Sequence, residues 1–248
     1  MSGHSKWATI KHKKGAADKA RGKLFAKLAR QSEVAAKGGG DIDANPTLRT
    51  AVQKAKAARM TNDAIDRAVK RGTGESDSGT YESIMYEGYA PGGVALLIDV
   101  LTDNRNRAGA EIRNVFTKLG GSMAEPGSVS WQFARKGVIV TAEGVDEDEV
   151  MMAALEAGAD DVVAEGENFR ITTDASAVFE VKEALDAVGI ETISADAPLV
   201  SDNVVPVTDS GDAKSILRII DALEDNDDVQ DVFSNFDISD ELMEAATA

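Results

Sequence analysis

The sequence predicts an α+β protein: an N-terminal three-helix bundle followed by two ferredoxin-like α+β domains, the second inserted in the first. Apolar residues recur at helical spacing in the first third, and strand and helix patterns alternate from residue 80 onward. The stretch of about 136–197 has the order β-α-β-β-α-β, which is one complete ferredoxin-like unit. The predicted parts are a basic arm (1–16), the bundle (17–72), a discontinuous outer domain (80–135 and 199–240) and the inserted domain (136–198).

The bundle prediction depends on helix start and stop signals. A first helix is predicted over about 17–37, where three consecutive glycines end it. Asn45 followed by Pro46 predicts the start of a second helix, since Asn is a preferred N-cap and Pro fits the first helical position. A third helix is predicted to begin near Asn62 and to stop at Gly72, before a Gly- and Ser-rich linker.

Strand and helix patterns continue to the end of the chain. In the first segment of the outer domain we predict strands 81–89, 94–101 and 128–134 and helix 105–119. In the inserted domain we predict strand 138–141, helix 146–157, a hairpin of strands 161–164 and 169–172, helix 175–188 capped by Asp174, and strand 190–195. For the remainder we predict an edge or broken strand 199–207, because Pro206 cannot donate a hydrogen bond, then helix 213–223, strand 229–236 and an acidic tail 237–248.

Charge is distributed unevenly along the 248 residues, whose formal net charge is -16. Residues 1–72 hold 17 Lys and Arg against 6 Asp and Glu, a net charge of +11, whereas residues 73–248 hold 10 against 37, a net charge of −27. A local excess of cations is typical of nucleic-acid binders, and the acidic remainder limits non-specific binding. A solvated basic face without a partner is the alternative.

The candidate nucleic-acid contacts lie in the arm, on the helices and in a second cationic cluster at 105–113. Lys19, Lys23, Lys27 and Arg30 recur along one face of the first helix. The full predicted set is Lys6, Trp7, Lys11, His12, Lys13, Lys14, Lys19, Lys23, Lys27, Arg30, Arg49, Lys54, Lys56, Arg105 and Arg107. Two alternatives stay open: Trp7 stacks on an unpaired base or belongs to the core, and the arginines of the second cluster serve only as helix caps and surface pairs.

The sequence contains little that could support catalysis. It has no Cys and only two His, which excludes thiolate metal sites and most His-based chemistry. Carboxylates are abundant, but Glu147–Glu149 is typical of a helix start, and residues 225–231 are predicted to be a solvated acidic turn. We therefore expect no catalytic residues, metal or cofactor, with a metal-dependent enzyme acting on nucleic acid as the weaker alternative. The basic start has no apolar signal region, and no apolar run could span a bilayer, so we expect a cytoplasmic protein without a membrane partner.

Short motifs, dense over about residues 2–137, resemble those of the YebC/PmpR family. They are Ser2-Gly3-His4-Ser5-Lys6-Trp7, Ile10-Lys11-His12, Arg21-Gly22-Lys23, Gly38-Gly39-Gly40-Asp41, Asn45-Pro46, Lys70-Arg71-Gly72-Thr73-Gly74, Tyr86-Glu87-Gly88-Tyr89, Pro91-Gly92-Gly93-Val94, Leu101-Thr102-Asp103-Asn104-Arg105-Asn106-Arg107, Gly120-Gly121 and Gly127-Ser128-Val129. Ala108 follows the Arg107 motif where the family often has Thr.

The resemblance implies a helical N-terminal domain and two α+β domains. It also implies a gene-expression regulator, since the family is mostly catalogued as cytoplasmic DNA-binding transcriptional regulators. Mitochondrial relatives are translational activators, and some bacterial members are described as ribosome-associated factors that relieve stalling. The expected partner is therefore DNA or ribosomal RNA or tRNA, with the ribosome as a candidate; the oligomeric state is left open. The residues favour RNA slightly, because no helix with a base-reading start is evident.

Overall fold

A computed structural model of the chain describes residues 18–74 and 80–247. The chain divides into two compact units. One holds the described residues up to Ser130 and from Val204 onward, and the other holds Trp131–Asn203. Helices and mainly antiparallel sheets occur in the same chain, so the α+β class is confirmed, while the four-part division predicted above stays a prediction. Among the described residues no helix is both long and apolar enough to cross a membrane.

The first unit begins with three helices: α1 (Asp18–Ala36), α2 (Pro46–Ala57) and α3 (Asn62–Gly72). Asn45 is the predicted N-cap of α2, and its side chain accepts from the backbone N–H of Leu48. The same amide donates to the carbonyls of Ala35 and Gly39, each at 2.8 Å, so it also fixes the end of α1. The helices enclose a small apolar core of Leu28, Ala36, Leu48, Val52, Ala55, Met60 and Ile65.

Gly72 allows α1 and α3 to approach closely. It is the last residue of α3, and a Cβ at this position would lie 2.1 Å from the carbonyl oxygen of Glu33 and 2.6 Å from the Cβ of Ala36. Arg71 Nε donates to the buried Glu33 carboxylate at 2.8 Å beside this contact. The sequence predicted a stop at Gly72, and the structure adds that the helix packing itself requires glycine there.

The remaining elements of this unit are β1 (Glu82–Ala90), β2 (Val94–Thr102), α4 (Arg105–Leu119), β3 (Ser122–Ala124), β9 (Val205–Val207), α7 (Ser210–Glu224), β10 (Val229–Ser234), β11 (Phe236–Ile238) and α8 (Asp240–Thr247). Four of the strands form an antiparallel sheet of order β10-β2-β1-β3. The central strand β2 is apolar and buried along almost its whole length, and α4 and α7 supply the buried side chains Ile112, Phe116, Ile216 and Ile220 to the same core. β9 and β11 form a separate two-stranded parallel pair.

The elements of the second unit are β4 (Phe133–Thr141), α5 (Glu147–Glu156), β5 (Asp161–Glu165), β6 (Asn168–Asp174), α6 (Val178–Ala187), β7 (Thr192–Asp196) and β8 (Leu199–Ser201). Its strands form an antiparallel sheet of order β5-β6-β4-β7, with β8 pairing to the start of β4. The predicted β5–β6 hairpin is confirmed, with Glu165 paired to Asn168. Both helices contribute to one core that includes Val150, Val181 and Leu185.

Three predicted features are wrong in detail, and a fourth, the break in strand 199–207, is confirmed. The predicted strand 128–134 does not form as such, because residues 130–132 turn and residues 133–134 are the start of β4, which continues to Thr141. The predicted strand 199–207 is broken, as Pro206 suggested, and its two pieces β8 and β9 pair with different strands. Asp174 does not cap α6 as N-cap; it accepts from Ser176 N in the turn before the helix, which begins at Val178. The acidic tail contains β11 and the amphipathic helix α8, whose Met243 is fully buried.

Candidate nucleic-acid interface

Three predicted cations of α1 lie against the end of α7 in the same unit. We call Lys23, Lys27 and Arg30 the α1 basic face, and residues Asp225–Asp228 the acidic turn. Lys23 Nζ is 2.8 Å from Asp225 Oδ1 and 3.0 Å from the Asp225 carbonyl oxygen. Lys27 Nζ donates to the carbonyl of Glu224 at 2.6 Å. The regular cation spacing on α1 therefore serves, at least in this conformation, to bind another part of the chain.

Arg30 is the innermost residue of the α1 basic face. Its Nη1 lies 3.0 Å from Asp228 Oδ1, 3.0 Å from the Leu101 carbonyl oxygen and 3.1 Å from the Asp227 carbonyl oxygen. The guanidinium also lies 5.1 Å from the centroid of the Tyr81 ring, a cation–π distance. One side chain thus connects α1 to the end of β2, to the acidic turn and to Tyr81, the residue before β1.

Asp228 is the centre of this network and is 5% exposed. Its Oδ2 accepts from Arg107 Nη2 at 2.7 Å and from Thr102 Oγ1 at 2.8 Å, while Oδ1 accepts from Arg30. Burial on its own raises the pKa of Asp228, but the hydrogen bonds from Arg107 and Thr102 outweigh it, so the pKa of this carboxyl lies below its usual value. The prediction of a fully solvated acidic turn is wrong at this residue.

The pKa values of Lys23, Arg107 and Lys27 shift in different directions. A hydrogen bond to Asp225 raises the pKa of Lys23, and hydrogen bonds to Asp228 and then Asp103 raise that of Arg107. Lys27 behaves oppositely: burial lowers the pKa of its ammonium more than the nearby carboxylates raise it. Its hydrogen-bond acceptor is the neutral carbonyl of Glu224, and the carboxylates of Glu224, Asp231 and Asp227 act on its charge without a hydrogen bond to it.

The other predicted residues are distributed differently. Arg49 donates to the carbonyls of Ile42 and Asp43, which ties α2 to the loop before it. Lys54 is half-buried with a partner, and Lys56 is exposed. Arg105 is exposed and forms no ion pair within the described part of the chain, unlike Arg107 two residues on.

Several candidates lie outside the side chains that the structure describes. Lys6, Trp7, Lys11, His12, Lys13 and Lys14 precede the described residues, and the side chain of Lys19 is not described. The structure therefore does not test the predicted arm contacts.

The sequence interpretation missed one exposed cation with an unusual backbone. Arg59 follows α2 with a φ of 62°, the one positive φ among the described non-glycine residues. Its N–H donates to the Lys56 carbonyl and that of Met60 to the Ala55 carbonyl, which is a helix C-terminal motif that usually carries Gly. The signal was available, because a helix that stops without Gly or Pro needs another residue in this conformation.

A buried acid on β1 organises the loop before the second unit. Glu87 accepts from the backbone N–H groups of Gly127, Val129 and Ser130 at 2.7, 2.6 and 3.0 Å. Burial on its own would raise the pKa of Glu87, but the hydrogen bonds from these three donors together outweigh it, so the pKa lies below its usual value. Glu87 and the Gly127-Ser128-Val129 motif therefore form one structural unit. Within the described ranges no group of three His, Asp or Glu residues is placed to hold a metal.

Comparison with known proteins agrees with this architecture of a helical bundle and α+β units. Residues 5–75 match the family model for the TACO1/YebC protein N-terminal domain, and residues 81–236 match the model for the TACO1/YebC second and third domain. The chain belongs to the TACO1/YebC family.

Relatives and a solved structure cover almost the whole chain. A protein from Halothermothrix orenii is 54% identical over 251 residues, covering 100% of this chain and 99% of the relative. One from Rubrobacter xylanophilus is 56% identical over 246 residues, covering 98% of both. Each is named a probable transcriptional regulatory protein. The crystal structure of the conserved hypothetical protein Aq1575 from Aquifex aeolicus is similar with a TM-score of 0.78 and 43% identity, over 89% of this chain and 91% of that one.

Proposed function

We propose that this chain is a non-enzymatic, nucleic-acid-binding regulator of gene expression in the cytoplasm, and that it binds through its N-terminal third. The observation that carries the proposal is the net charge of +11 on residues 1–72 in a chain whose remainder is strongly acidic. Exposed Lys56, Arg59 and Arg105 keep cationic groups on the described surface of the same unit. The names of the relatives support a regulatory role.

Structured RNA of the ribosome is the target that the charges favour, and promoter DNA is the second candidate. A helix that reads the major groove usually presents Asn, Gln or Arg at its start. The start of α3 instead exposes Asp63 and Asp66, which phosphates on both sides of a groove would repel. Cations spread over an arm and several helices suit an irregular phosphate surface better.

Counterion release provides the test of phosphate binding. If six to eight N-terminal cations contact phosphates, the slope of log affinity against log salt is roughly −4 to −7, at about −0.7 to −0.9 for each contact. Neutralising Lys11, Lys13 and Lys14 to Gln together should flatten the slope by about two to three units and leave the melting temperature unchanged. Fluorescence anisotropy with labelled RNA and DNA of equal length measures both slopes.

The matched control removes three lysines from the rest of the chain. Lys136 and Lys182 each pair with an aspartate, and Lys214 is exposed on α7. Changing these three to Gln alters the net charge equally and should leave the slope within about half a unit. Equal flattening by both triple variants would contradict binding through the N-terminal third.

Two further measurements separate the target classes. Sedimentation of the protein with ribosomes at moderate salt supports the RNA target. Specific promoter binding that persists in excess competitor RNA, without ribosome association, supports promoter DNA instead. A metal-dependent turnover of labelled RNA or DNA would support the weaker alternative, an enzyme.

A further inference from the structure

We propose that the acidic turn competes with nucleic-acid phosphates for the α1 basic face, so that α1 binds nucleic acid only when the turn releases it. This inference rests on the proposed function and names its regulation. The turn offers the α1 basic face the kind of ligand that a nucleic acid would offer, and the two cannot occupy the same cations together.

The acceptors of the turn resemble a short stretch of phosphate oxygens. Lys23, Lys27 and Arg30 are bound by two carboxylates, Asp225 and Asp228, and by backbone carbonyls where α7 ends. The C-terminal end of a helix carries partial negative charge, because its last carbonyls have no partner within the helix. Asp227 adds a third, exposed carboxylate beside them.

The contact is most buried at Arg30 and most exposed at Lys23. Arg30 binds the buried Asp228, which Arg107 and Thr102 hold in place from the other side. At the outer end the Lys23 side chain is 32% exposed and its partner Asp225 is 76% exposed. Exposed ion pairs are weak and are screened by salt. Lys23 therefore releases first, and a phosphate can begin to replace the turn at this end.

Lys27 gives the exchange its direction. In the docked conformation its ammonium is partly buried, its closest acceptor is a neutral carbonyl, and burial lowers its pKa. The carboxylates of Glu224, Asp227 and Asp231 act on Lys27 without a hydrogen bond to it, whereas a phosphate oxygen would place a negative charge in direct contact. Exchange of the turn for a phosphate therefore replaces a neutral acceptor of Lys27 with a charged one, although Lys23 loses its carboxylate.

The first experiment removes the two exposed charges of the turn and leaves the buried one. The variant is Asp225→Asn with Asp227→Asn, and the matched control is Asp63→Asn with Asp66→Asn, two exposed acids on α3 with the same charge change. We expect the turn variant to bind structured RNA about three- to tenfold more tightly at low salt. Its salt slope should steepen by about one to two units, since Lys23 and Lys27 become available at about −0.7 to −0.9 each while Asp228 still holds Arg30. The control should change affinity less than twofold.

The second experiment holds α1 on the turn. The chain has no Cys, so Gly22→Cys with Asp225→Cys supplies the only two thiols, beside the contact of Lys23 with Asp225. Joining them with a short bismaleimide should weaken RNA binding several-fold and flatten the salt slope. The same variant capped at each thiol with N-ethylmaleimide is the control, and it should bind at least as well as the unmodified protein.

The outcomes separate the two proposals. If the natural protein binds RNA, the turn variant binds it with the same affinity and salt slope, and the crosslink has no effect, the competition is overturned but the proposed function stands. Equal gains from the turn variant and the α3 control would also overturn it, because a general charge effect would then explain both. Binding that appears only in the turn variant would support the competition strongly, whereas absence of binding in every protein would refute the proposed function itself.

Discussion

Asp228 and Glu87 are both 5% exposed and both have a lowered pKa, yet the chain compensates their charges by different means. Asp228 is held by two arginines and a hydroxyl from segments far apart in sequence. Glu87 is held by three backbone N–H groups from one loop. Arginine side chains can exchange one anion for another, and salt screens their ion pairs. Buried backbone N–H groups in a loop need the acceptor that the fold gives them. The Asp228 region can therefore rearrange, and the Glu87 region is a fixed part of the fold.

The largest expected change in the free energy of unfolding comes from Glu87→Ala. The substitution leaves three backbone N–H groups without their acceptor, and each unsatisfied donor costs about 1–3 kcal/mol when buried. We expect the free energy of unfolding to fall by about 3–4 kcal/mol, measured by urea denaturation at pH 7. Glu82→Ala, an exposed change on the same strand, should stay within about 0.5 kcal/mol. Similar losses in both variants would contradict the fixed role of Glu87.

Asp228→Asn should have the next largest effect. It keeps the shape of the side chain but leaves Arg30 without its carboxylate partner and Arg107 with only the exposed Asp103, for an expected loss of about 2–3 kcal/mol, below that of a fully buried pair because Arg107 is 45% exposed. The loss should shrink as NaCl is raised, unlike that of Glu87→Ala. A double-mutant cycle with Arg107→Gln should give a coupling clearly different from zero, while the exposed pair of Lys182 and Asp186, treated in the same way, serves as the control. A coupling near zero would mean that the two side chains act independently.

The smallest effect concerns acid stability. Both carboxyls have folded pKa values below their unfolded values, so their contribution is complete above about pH 4–4.5 and is lost as the pH falls through the folded pKa. Glu87→Gln and Asp228→Asn should each flatten the fall of unfolding free energy below that pH, by less than about 1.4 kcal/mol per pH unit. Only the Asp228 variant should differ from the natural protein in a salt-dependent way. An unchanged acid limb in both would show that other groups govern acid unfolding.

Local signals in the sequence predicted the helices well. Asn45 and Pro46 marked the start of α2, and helix 105–119 has the predicted bounds, with Gly120 in the left-handed conformation at its end. These signals depend on neighbours within a few residues, which a sequence shows directly. The helix in the acidic tail was not predicted, although Leu242, Met243 and Ala246 have helical spacing, since three apolar positions over eight residues are a short signal.

The partners of the candidate site could not be predicted in the same way. The spacing of Lys23, Lys27 and Arg30 predicted a common face, and that face exists, but spacing contains no information about what it contacts. Its partner is the turn after α7, which a sheet with non-consecutive strand neighbours brings beside α1. Likewise, the acids at 225–228 look equally solvated in sequence, and only the fold distinguishes buried Asp228 from exposed Asp225.

The distance in sequence between Arg30 and Asp228, 198 positions, has a consequence during synthesis. The three helices of the bundle can form from the first 72 residues, because their core is local. At about 5–20 residues per second, the acidic turn is made on the order of 10–40 s after Arg30. Throughout that interval the nascent chain presents the α1 basic face without its internal partner, close to the RNA of the ribosome that is making it. The chain can neutralise this face internally only after residues 225–228 have been added.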